Sequence, residues 1–149
     1  MNRRHWIRTL AMSALAALAT STTITAGAER DSALLRVGES LQYDKGLKVT
    51  FLAVSRDHRC PINAQCLTQG NATVILRVKA GRQAARNVKI HTHDNPREVV
   101  IPANEFPPGM AGIPKSYVIS IAHLNPLPLA GNKTSQTRYR LGLRILVAQ

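Results

Sequence analysis

The sequence predicts an all-β fold, an antiparallel β-sandwich or small open barrel of about seven strands. Three observations predict it. Apolar residues recur at alternate positions in several stretches, and turn signals separate those stretches. No stretch after residue 28 keeps a 3.6-residue apolar period. The chain has 149 residues, 44% apolar and 19% charged, which suits one ordered domain with a core of its own.

Residues 1–28 are set apart from the fold as an export signal. Arg3, Arg4 and Arg8 form a basic start, followed by an Ala- and Leu-rich stretch over residues 10–19. Ala26-Gly27-Ala28 then fits the small-x-small cleavage rule, which leaves residues 29–149 as a single β-rich domain beginning at Glu29. That stretch is well short of the roughly 20 residues a helix needs to cross a bilayer, so no transmembrane segment is expected. Arg3-Arg4-His5-Trp6-Ile7-Arg8 also resembles a twin-arginine address, while a general secretory signal fits the same residues. Either route leads to the periplasm or the exterior.

The strands follow in order. Leu47, Val49, Phe51 and Ala53 alternate with Lys48, Thr50, Leu52 and Val54. Ala72, Val74, Leu76 and Val78 do the same against Thr73, Ile75, Arg77 and Lys79. Val88 and Ile90 alternate with Lys89 and His91, and Tyr117, Ile119, Ile121 and His123 with Val118, Ser120 and Ala122. Last, Tyr139, Leu141, Leu143, Ile145 and Val147 alternate with Arg138, Arg140, Gly142 and Arg144. Short apolar pieces at 34–37 and 99–101 suit edge strands. Asp44-Lys45-Gly46, Ala80-Gly81-Arg82, Asp94-Asn95-Pro96 and Asn125-Pro126 mark turns. Residues 102–114, with four prolines and two glycines, read as a crossing between sheets.

Cys60 and Cys66 are the only cysteines. In an exported chain a disulfide is the default, ahead of a metal site or a redox pair, which usually has two intervening residues. So small a ring is worth about 2 kcal/mol on the chain-entropy model, enough to shape one loop without holding the domain together.

Asp57-His58-Arg59-Cys60-Pro61, four further residues, Cys66, and Gly70-Asn71-Ala72 running into Val74 resemble a group of small exported bacterial proteins. That group carries an Arg-Cys-Pro-x4-Cys loop before a glycine and a β-strand, and many of its members are lipoproteins. The resemblance covers about twenty-five residues and implies a β-rich exported domain, with no activity attached. His58 stands where a serine is usual in that group, and Thr68 where an aromatic is expected. Physically, Asp57 and Arg59 are expected to pair across the loop mouth as a surface pair worth less than about 1 kcal/mol. Gly70 permits a close turn into the strand.

Charge is the strongest functional signal. The formal net charge is +12, and no acid occurs from residue 58 to 93 or from 106 to 149. Arg77 and Lys79 share one strand face, as do Arg138, Arg140 and Arg144. Joined on one side, they would form a basic face for an anionic envelope polymer or an envelope protein. The plain alternative is a solvated surface. Aromatics make up only 4% of the chain, too few for nucleic-acid stacking or sugar stacking.

His91-Thr92-His93 has metal-ligand spacing, because i and i+2 on a strand face the same way. His58, His123 or Asp94 could complete a copper or zinc shell. No G-x-S-x-G, H-E-x-x-H, P-loop or G-x-G-x-x-G constellation occurs, so no catalytic residue is assigned. The expectation is an exported binding domain acting through its basic face. The alternatives are a periplasmic copper or zinc protein and an inhibitor-like module presenting the disulfide loop.

Overall fold

A computed structural model describes residues 34–43, 46–102 and 116–148. The export signal expected at 1–28, residues 44–45 and nearly all of the expected proline-rich crossing lie outside the described residues. Eight strands occur among those described: β1 (Leu35–Arg36), β2 (Ser40–Gln42), β3 (Leu47–Asp57), β4 (Ala72–Ala80), β5 (Arg86–His91), β6 (Glu98–Ile101), β7 (Ser116–Asn125) and β8 (Arg140–Ala148). They form two four-stranded antiparallel sheets, in the orders β1-β8-β7-β6 and β2-β3-β4-β5. The sheets do not close into a barrel; the fold is a sandwich. The short pieces at 34–37 and 99–101 contribute β1 and β6, both at sheet edges as expected.

Alternation explains the core. Leu47, Val49 and Phe51 of β3, and Val74, Leu76 and Val78 of β4, point inward from one sheet. Tyr117 and Ile119 of β7, and Leu141, Leu143 and Ile145 of β8, point inward from the other. Tyr43 meets Tyr117 edge-on with ring centroids 5.7 Å apart, filling the space beside β2.

Two strands break strict alternation, and in each a bulge is the reason. In β3 the register against β4 slips between Phe51 and Ala53, and again between Val54 and Arg56. Each slip adds one unpaired residue and inverts the parity. Val54 therefore takes the inward place expected of Ala53, and the second slip returns Asp57 to the inner side opposite Ala72. In β7 a bulge between Ile121 and His123 turns His123 outward and Leu124 inward. The His123 ring then lies across Gly142 of β8, where an added Cβ would come within 2.4 Å of it.

Candidate functional site

The most elaborated part of the molecule is the end of the sandwich where β3 leaves for β4. Cys60 and Cys66 are bonded there, with their Cα atoms 5.9 Å apart. The chain enters and leaves the ring as a continued ladder: His58 N–H donates to the Asn71 carbonyl and Cys60 N–H to the Gln69 carbonyl, both at 2.8 Å. Gly70 makes this crossing possible. Its φ is +66°, and an added Cβ would stand 1.9 Å from the His58 carbonyl oxygen, so any side chain would collide with backbone.

Arg59 locks the loop to the other sheet. Its Nε and Nη2 donate to the two Asp57 carboxylate oxygens at 2.8 and 2.7 Å, a two-pronged pair. Nη1 donates to the carbonyl of Leu124 near the end of β7, and Nη2 also to the Pro126 carbonyl at 2.7 Å. The Tyr139 hydroxyl donates to Asp57 Oδ2 at 3.0 Å. The surface pair expected from the sequence is thus corrected. The side chains of Arg59 and Asp57 are only 6% and 9% exposed, because the double bulge turns Asp57 inward. Burial pushes the Asp57 carboxyl up, but the Arg59 hydrogen bonds and charge, with the Tyr139 hydroxyl, outweigh it and hold the group below its usual value. Burial, then the Asp57 charge, pushes the Tyr139 phenol above its usual value.

The disulfide loop leans on the segment that follows β7. Ile62 N–H donates to the Pro128 carbonyl at 3.0 Å, and Asn63 Oδ1 accepts from Ala130 N–H at 2.8 Å. Two grooves flank this segment and share Asn132, Lys133 and Thr134 as a common wall. One, of about 440 Å³, is lined by Ile62, Leu127, Leu129, Asn125 and Arg138 among others. The other, of about 400 Å³, opens over Arg56, His58, Gln136 and the Asp57–Tyr139 pair.

The sequence-derived basic face divides in two. Arg77 and Lys79 lie exposed on β4, opposite Thr50 and Lys48, on the outside of one sheet. Arg140 and Arg144 belong to β8, on the outside of the other, so the sandwich core separates the two groups. Arg138 lies in a single 3-10 turn (Gln136–Arg138) before the strand, not on it. Arg140 spends its guanidinium on the carbonyls of Thr137 and Tyr139, both at 2.8 Å. Sequence shows strand parity but not which strands share a sheet.

The histidines do not form a shell. β5 ends at His91, two residues short of His93, so the strand argument does not carry His91 and His93 to one face. Asn71 organises the turn instead: its Oδ1 accepts from His93 N–H and Asp94 N–H at 3.1 and 3.4 Å, and from the Thr92 hydroxyl at 3.2 Å. Its amide nitrogen and the Thr73 hydroxyl both lie at hydrogen-bond distance, 3.1 Å, from His91 Nδ1, which makes that ring a structural partner. His58 is exposed beyond β3, and His123 sits in the opposite sheet. Among the described residues no three His, Cys, Asp or Glu side chains gather as a metal shell. Among them, too, no helix is long and apolar enough to cross a membrane.

Ile62, Leu67, Leu127, Leu129, Lys133 and Gln136 received no role from sequence reasoning. One signal was available for the leucines and Ile62. They are large apolar residues in turn-rich segments with no strand to bury them. No family model, curated protein or solved structure matches the chain.

Proposed function

We propose that this chain is an exported binding domain that engages an envelope protein through its disulfide-loop end. One observation carries this reading: the large apolar side chains left uncovered there. Leu67 in the disulfide ring's exit is fully exposed, and Ile62, Leu127 and Leu129 line one groove while 63%, 50% and 41% exposed. Clustered exposed apolar groups with cations at their rim are the composition of a recognition surface rather than of a solvated one. The backbone beneath them is tied by the disulfide, the Arg59 contacts and the Ile62 and Asn63 hydrogen bonds, so little ordering entropy is lost on docking. A disulfide is at home in an oxidising compartment, which agrees with a periplasmic or secreted destination. The Arg-Cys-Pro-x4-Cys loop through which the chain resembles small exported proteins is this same element.

The test compares two surface variants for binding to isolated envelope fractions. Leu67→Glu with Ile62→Glu should abolish binding, and Arg77→Gln with Lys79→Gln should leave it within about twofold. The reverse pattern overturns the proposal. It would support a second reading, in which an anionic polymer lies on the outside of the β2-β3-β4-β5 sheet. That reading is favoured by Lys48 standing directly opposite Lys79, a like-charge pairing that costs stability, with Arg77 and Lys89 on the same face. Export itself is checked by the mass of the mature chain, which should begin at Glu29.

A further inference from the structure

The geometry points to the groove between the disulfide loop and the segment following β7 as a peptide site, one that takes an aliphatic side chain next to a carboxylate. This inference rests on the loop-end reading above and names what that end binds. The groove's volume, about 440 Å³, lies within the range of about 300–1,000 Å³ in which small-ligand sites fall. Its walls are of two kinds. Ile62, Leu127 and Leu129 give an aliphatic side, too exposed to be core. Lys133 and Arg138 give a cationic side.

Charge complementarity selects the occupant. The Arg138 guanidinium and the Lys133 ammonium have no side-chain partner among the described residues, whereas Arg59 and Arg140 nearby are committed to carbonyls and a carboxylate. Of the described carboxylates, Glu39 pairs with Arg36 at the β1–β2 turn, and Asp94 and Glu98 belong to the β5–β6 region. Asp57, the only carboxylate among the described residues lining either groove, is already neutralised by Arg59. The field at this end is therefore positive, and a planar guanidinium suits a carboxylate. Aliphatic walls with no aromatic ring fit Leu- or Val-type side chains rather than sugars. Asn125 and Asn132 line the same groove, and a side-chain amide can both donate to and accept from a peptide backbone.

The experiment titrates isotope-labelled protein with acetyl-Leu-Asp-Leu-Asp-amide and with its Leu-Asn-Leu-Asn counterpart, reading backbone amide shifts. The aspartate peptide should give saturable shifts at Ile62, Leu127, Asn132 and Thr134, and bind at least fivefold tighter than the asparagine peptide. Raising the salt to about 0.5 M should reduce that preference, since screening then acts within a few ångströms. Arg138→Gln should bring the two peptides to equal affinity. Equal affinity in the unaltered protein, shifts confined to other surfaces, or no saturable binding of either peptide overturns the proposal. So does binding only to phosphatidylglycerol vesicles, which would make the groove a lipid site. If Leu67→Glu with Ile62→Glu abolishes envelope binding while neither peptide enters the groove, the peptide site fails and the loop-end reading stands.

Discussion

The side-chain amide of Gln136 pairs with both backbone groups of Val54, accepting from its N–H at 3.0 Å and donating to its carbonyl at 2.8 Å. β2 pairs with β3 as far as Thr50 and the turn before it bonds Phe51, so beyond Phe51 the outer edge of β3 has no strand beside it among the described residues. Gln136 stands in for the missing strand, 82 residues away in sequence.

Gln136→Ala should therefore leave two part-buried backbone groups without partners and cost about 1–3 kcal/mol in chemical denaturation. Gln136→Glu should cost no less, because a carboxylate can accept from Val54 N–H but would face its carbonyl with nothing to donate. Equal stability of the alanine variant and the parent would show that water replaces the amide without loss.

Arg59→Ala should be far more damaging than removal of any exposed arginine. It leaves the buried Asp57 carboxylate without its cation and frees the carbonyls of Leu124 and Pro126. Breaking a buried pair from one side costs about 3–5 kcal/mol. Thermal or urea unfolding measures this directly, with Arg77→Ala as the exposed control, expected within about 0.5 kcal/mol of the parent.

Acid should weaken the domain through Asp57. Its folded value lies below the ordinary one, so its contribution is complete above about pH 4 and is lost as pH falls through the folded value. Tyr139 works at the other end. Its folded value is raised, so its contribution is complete below about pH 10 and is lost as pH climbs through the folded value. Urea midpoints measured across pH should show a steeper acid limb in the parent than in Asp57→Asn, and a flatter alkaline limb in Tyr139→Phe. Parallel limbs would mean that these groups do not govern the profile.

Gly70→Ala tests the turn out of the disulfide loop. A left-handed φ and a backbone oxygen 1.9 Å from the new carbon act together, so the chain must move before the methyl fits. The cost should be at least about 2 kcal/mol. Gly131→Ala, at φ +82° with open space around it, should cost only the conformational part, about 1 kcal/mol. Differential scanning calorimetry on both variants separates collision from conformation.

Much of the fold could be read from residue order alone, because a half-buried strand writes its period into the chain. β4 and β8 appear in the sequence almost as they are. β3 does not, since a bulge leaves no mark in composition, and Val54 had to be found in the structure. β2 went unseen for a different reason: Ser40–Gln42 is too short to show a period. The same limits apply to the site. The disulfide follows from two cysteines in a chain expected to be exported, and the Asp57–Arg59 pairing from their spacing. Burial of that pair depends on parity after two slips, and the contacts to Leu124, Pro126 and Tyr139 span more than sixty residues. The residues of the basic face divide between two sheets, which strand parity does not reveal.

β3 also carries slack. Each of its two register shifts puts one more residue on β3 than on β4, so the segment between Phe51 and Asp57 is two residues longer than the ladder beside it requires. Loss of a single codon in the middle of a β-strand ordinarily turns every following side chain to the wrong side. Here a deletion at Leu52 or at Ser55 would be absorbed by straightening one bulge, with Val54 still facing Val74 and Asp57 still facing Ala72. Variants shortened by one residue at either place should keep the Asp57–Arg59 pair, whereas shortening β4 anywhere opposite should break it.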